Sequence, residues 1–108
     1  MFEYTFYDDV ADEVEIPPSG ITSRVVQKGE RLRAVIFGFA EGEEMSEHTA
    51  SVPAVIQVLQ GEATLTFEED VKEVKQGAWI HMNAHLPHSV IAKTPLKLLV
   101  YLLRQPKA

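Results

Sequence analysis

Residues 52–75 read VPAVIQVLQGEATLTFEEDVKEVK, and this stretch holds three short strands. Residues 52–60 are an apolar run that Gly61 interrupts. In residues 61–68, Ala63, Leu65 and Phe67 alternate with Thr64 and Thr66, so one face is buried and the other wet. Residues 71–75 resume the strand pattern after an acidic turn. Three strands in about 25 residues is the spacing of an all-β sandwich or barrel.

The same pattern extends in both directions. Upstream, residues 21–28 follow the turn-forming Pro17-Pro18-Ser19-Gly20, and residues 31–40 place Leu32, Ala34 and Ile36 on one face. Gly29-Glu30 between them is a hairpin turn. Downstream come residues 78–82, 89–93 and 96–103. The last is apolar through Leu98-Leu99-Val100-Tyr101-Leu102-Leu103, and a strand apolar on both faces must bury both. One face belongs to the core; the other requires cover from the N-terminal segment or from a second copy of the chain, which predicts a homodimer. The aromatic residues 2–7 read as an extra edge strand and the acidic residues 8–15 as a solvated connection.

Composition narrows the class. A chain of 108 residues, 45% hydrophobic and 24% charged, suits one domain, with residues 1–20 as an N-terminal arm and 31–103 as a barrel. No basic, apolar leader is visible and no apolar run approaches the roughly 18–20 residues of a membrane-spanning helix, so a cytoplasmic protein is expected. The formal charge of −6 opposes nucleic acid and anionic membrane as partners. With no cysteine in the chain, any metal must sit on histidine, carboxylate or amide oxygen. There is no glycine-rich phosphate loop and no nucleophile elbow.

All four histidines, His48, His81, His85 and His88, fall in two windows: GEEMSEHTASVPAVIQVLQG at 42–61 and GAWIHMNAHLPHSV at 77–90. The spacing of Gly42, His48 and Gly61, and then of Gly77 and His88, resembles the two motifs of the cupin superfamily. In that family the first motif runs glycine, five residues, His-x-His, three or four residues, glutamate, six residues, glycine. The second runs glycine, five residues, Pro-x-Gly, two residues, histidine. His48 and His88 take histidine places, whereas Ala50 stands for the second histidine, Ala54 for the glutamate, Asn83 for the proline and His85 for the glycine.

The resemblance implies a double-stranded β-helix or jelly-roll barrel, a small-molecule ligand and a divalent metal ion such as Zn, Fe, Mn or Ni. It implies that metal on a reduced set: His48, His88 and either His85 or His81. Structural or catalytic metal sites typically need three or four ligands. His81, Asn83 and His85 share one parity and His88 has the other, so a turn around residues 83–87 is required to gather them. Gln57 is a further pocket candidate, through its amide. Three functions remain open: a small metalloenzyme, a non-enzymatic binding module in which His48 and His88 anchor a small ligand, or a degenerate structural barrel whose role lies in its dimer or a partner. Glu43, Glu44 and Glu47 read as a solvated rim, and Trp79, Phe37, Phe39, Met45 and Met82 as core or interface packing.

Overall fold

The computed structural model describes residues 2–105. Among them nine strands form: β1 (Ile21–Lys28), β2 (Leu32–Phe39), β3 (Glu44–His48), β4 (Ala54–Gln60), β5 (Glu62–Phe67), β6 (Asp70–Lys75), β7 (Trp79–Met82), β8 (His88–Ala92) and β9 (Leu96–Leu103). One sheet runs β1-β2-β9-β4-β7 and the other β3-β8-β5-β6, every neighbouring pair antiparallel. The all-β jelly-roll expectation holds, and eight of the nine strands coincide with the segments that alternation predicts, β6 and β8 beginning one residue earlier. The exception is β3, whose EMSEH carries a single apolar residue. It is an edge strand bonded only to β8, and charge on such a strand is a common guard against edge-to-edge pairing.

The first sheet buries both faces, as the apolar run of β9 requires. Its inward residues form cross-strand rows: Phe37 opposes Leu98, which opposes Val58, and Val35 opposes Val100, which opposes Ile56. These meet Ala63, Leu65, Val90 and Ala92 of the second sheet in the main core. The outward residues Ala34, Ile36 and Leu99 pack with Val26 under Val14, Tyr7 and Val10 of the N-terminal arm. The arm therefore supplies the cover that residues 96–103 need over β2 and β9.

Two expectations for the arm are corrected. Residues 2–7 form no strand, because their backbone pairs with no sheet edge. Residues 8–15 are more than a solvated connection: Val10–Glu13 is a 3-10 turn capped by the Asp9 side chain, and Val14 is buried. The arm is held by polar contacts as well. Tyr7 Oη donates to Val26 O at 2.6 Å, Lys97 Nζ to Ala11 O at 2.7 Å and Thr22 Oγ1 to Glu15 O at 3.0 Å. No helix is long and apolar enough to cross a membrane among the described residues.

Candidate functional site

One end of the barrel is packed solid and the other is open. At the closed end Ala63, Leu65, Ala92 and Leu96 are fully buried. Toward the other end the sheets part around a cavity of about 230 Å³. It is walled by Val35, Phe37 and Phe39 of β2, Met45 and His48 of β3, Ala54 and Ile56 of β4, Met82 of β7, His88 and Val90 of β8, and Leu98, Val100 and Leu102 of β9, with Ala50 beside them. Apart from the two imidazoles, the lining is aliphatic, aromatic or methionine.

His48 reaches the cavity through a local irregularity. Met45 and His48 are three residues apart, so a regular strand would send them to opposite faces. The β3–β8 register instead shifts between them, pairing Met45 with Val90 and His48 with His88. A bulge of this kind re-aims side chains, and here both residues face inward. His88 lies in the same row, opposite Phe67 of β5. The two imidazole centroids are 4.2 Å apart with the rings tilted by 58°.

The hydrogen bonds settle which nitrogens are free. His48 Nδ1 lies 2.8 Å from Ser46 O and His88 Nδ1 lies 2.8 Å from Leu86 O. A carbonyl oxygen only accepts, so each Nδ1 carries the proton and donates it. Each neutral ring therefore keeps its lone pair on Nε2.

His88 is only 7% exposed. Burial lowers its pKa below the ordinary imidazole value; the Leu86 carbonyl opposes this by favouring the charged form, and the neighbouring His48 adds to the lowering. The unfolded chain takes up this proton near pH 6.5, and the folded chain only at lower pH. Between those values the unfolded state binds more protons, so His88's contribution to stability is complete above pH 6.5 and is lost as pH falls through its folded pKa. Urea melts between pH 8 and pH 5 should show an acid loss of stability that His88→Gln largely removes; parallel profiles for the two proteins would contradict this origin.

The other sequence candidates lie elsewhere. His85 is exposed, with φ of 71° and its backbone N donating to Ala50 O at 2.7 Å. It stands where the motif has glycine and keeps the left-handed backbone of that place, so the turn is preserved while the imidazole stays outside the cavity. His81 pairs with Val55, and Gln57 lies between Trp79 and Leu99. Both are on the outward face of the first sheet, because Ala54, Ile56 and Met82 take the inward parity. The expected gathering of His85 or His81 with His48 and His88 does not occur. Trp79, expected as core or interface packing, is 62% exposed and so lies outside the core.

Among the described residues no group of three or more histidines, aspartates or glutamates is placed to hold a metal ion. Ala50 and Ala54 occupy the wall where further donors would stand, and two imidazoles fall short of the three or four ligands such sites need. The residues present do not fit the divalent ion that the resemblance implied.

A two-sheet antiparallel jelly roll, open at one end beside a histidine pair, defines a small barrel of the cupin type. Residues 35–102 match the family model described as a cupin domain, and the chain belongs to the cupin family. Among solved structures it is similar to a cupin superfamily protein from Desulfitobacterium hafniense DCB-2, at 23% identity and a TM-score of 0.85 over 97% of this chain and 99% of that one. It is also similar to a conserved protein of unknown function from Streptococcus pyogenes, at 26% identity and a TM-score of 0.84 over 99% and 93% of the two chains. A cupin 2 conserved barrel domain protein from Leptotrichia buccalis is 30% identical with a TM-score of 0.80, over 87% of this chain and 46% of that one. A comparison with curated proteins finds no match.

Proposed function

We propose that the protein is a binding module for a small molecule with an apolar body and a hydrogen-bond-donating group. The observation that carries this reading is the apolar cavity with the His48–His88 pair as its polar edge. Both Nδ1 atoms are engaged with backbone carbonyls, so the two Nε2 lone pairs are left to accept from a ligand hydroxyl or N–H. A dry cavity of about 150 Å³ is known to take benzene, and 230 Å³ is ample for a single substituted ring. Benzyl alcohol is a direct probe. In methyl-labelled protein it should shift the Ala50, Ala54 and Met45 resonances and leave the outward Val71 unmoved; no saturable shift of the cavity methyls would reject the reading.

The reading includes a second copy of the chain. Phe2, Tyr4 and Phe6 are 99%, 90% and 71% exposed and alternate along the arm. At 150–250 Å² per aromatic side chain, the three arm residues offer about 500 Å² per chain. This is more than half of the roughly 800 Å² per partner of a stable interface. Light scattering at micromolar concentration should give twice the chain mass, and Phe2→Ser/Tyr4→Ser should shift it toward one chain. A single-chain mass for the unaltered protein would end this part of the reading.

A further inference from the structure

Next to the outermost row of the cavity the register places a charge that the histidine pair does not account for. On the inward face of the first sheet, Arg33 pairs with Leu102, Leu102 with Ala54, and Ala54 with Met82. Leu102, Ala54 and Met82 all line the cavity. By register Arg33 therefore extends that row by a fourth position, two residues beyond Val35 on the same face of β2, just past the residues that line the cavity itself. Its Nε is buried and has no hydrogen-bond partner among the described residues. Nor does Arg33 take part in an ion pair among them; those found use Arg24, Lys72 and Lys93.

A buried donor without a partner is costly, and a guanidinium is a fixed planar fork of donors whose geometry matches a carboxylate. A neutral carbonyl or hydroxyl oxygen would accept one hydrogen bond without charge, whereas a carboxylate at the mouth would accept from Nε and an adjacent Nη together, the side-on bidentate pairing that is among the stronger hydrogen-bonded contacts. The histidines do not compete for that carboxylate, because their free Nε2 atoms accept rather than donate while neutral.

We propose that the cavity selects a small monocarboxylate, its apolar body inside the barrel and its carboxylate on Arg33 at the mouth. This rests on the reading of the cavity as a small-molecule site and adds the chemical class of the ligand.

Benzoate and benzamide have nearly the same shape and differ in charge, so they separate the two ideas. By calorimetry or methyl shifts at pH 8, benzoate should bind the unaltered protein at least about tenfold more tightly than benzamide. The preference should fall toward unity in Arg33→Gln, through loss of benzoate affinity. It should persist in part in Arg33→Lys, which keeps the charge without the fork. In the unaltered protein, rising salt should weaken benzoate and leave benzamide unaffected, a readout independent of whether any variant folds. If benzyl alcohol binds in the cavity but benzoate shows no advantage over benzamide, or keeps its advantage in Arg33→Gln, the carboxylate inference is overturned and the binding reading stands. If none of the three probes shifts the cavity methyls, both fall.

Discussion

Gly61→Ala is expected to destabilise the protein by about 3–5 kcal/mol, a large share of the 5–15 kcal/mol typical of a domain. Gly61 sits between β4 and β5, where the chain passes from one sheet to the other, and its φ is +89°. A Cβ there would overlap the backbone carbonyl oxygen of Pro95 and lie 2.9 Å from Thr94 Oγ1. Neither neighbour is free to move. Glu62 N donates to Thr94 Oγ1 at 2.9 Å, and Lys93 N donates to Glu62 O at 2.9 Å, so the β8–β9 turn is tied to the residue that follows the glycine. The substitution must break this clasp at the closed end of the barrel or strain the β4–β5 crossing. In urea the midpoint should fall by about 2 M, given slopes near 1–3 kcal/mol/M. Gly77→Ala is the control: φ is +99° but an added Cβ meets nothing within 4 Å. It should cost only about 1–2 kcal/mol, for the left-handed backbone alone. Equal losses for the two variants would show that close approach is not the cause at Gly61.

Ala54→Phe is expected to abolish ligand binding while leaving the fold intact. Ala54 is buried, lies between Leu102 and Met82 in the row nearest the mouth, and faces the cavity. A phenyl ring replacing its methyl group would project into the 230 Å³ that the proposed ligand needs. Overpacking a filled core typically costs 1–3 kcal/mol, but here the added volume has space to enter, so the melting temperature should stay within about 5 °C of the parent's. Benzyl alcohol affinity should drop at least tenfold. Undiminished binding in a folded Ala54→Phe protein would place the ligand site outside the barrel.

The two substitutions probe parts of the molecule that differ in how plainly they could be read. The clasp at Gly61 belongs to the glycine and histidine spacing visible in the chain, although nothing in the sequence says that Pro95 O is what the missing side chain would strike. The cavity wall is less plain. The apolar alternation of β4 and β9 predicts that Ala54, Ile56, Leu98 and Val100 share faces, but it does not distinguish a filled core from a hollow one. That depends on how the side-chain volumes of two sheets sum across the gap.

β3 escaped the pattern because an exposed edge strand with one inward apolar residue has almost no alternation to display. For the same reason the bulge that aims His48 inward was not legible: it exists only in the β3–β8 register. The short 3-10 turn of the arm was hidden by its acidic composition, with Val10 and Val14 the only apolar signals of its packing. The Arg33 site was missed as well. That Arg33 shares a face with Val35 and Phe37 was readable from residues 31–40, but not that this face is the inward one, and a charged residue at a strand end ordinarily reads as surface.

The sequence by itself determined the all-β class, the strand segments other than β3, the glycine and histidine spacing of the family, and the loss of two metal-ligand places at Ala50 and Ala54. All of these follow from local chemistry: period-two burial, turn residues, and the identity of side chains at fixed separations. Only the tertiary structure decided that His48 and His88 meet at 4.2 Å, that His81 and Gln57 face outward, that His85 serves the turn, and that Arg33 closes the mouth row. Those outcomes depend on register and on which sheet lies across the cavity. Strand pairing between residues far apart in the chain sets both, and a one-residue shift in register reverses every face.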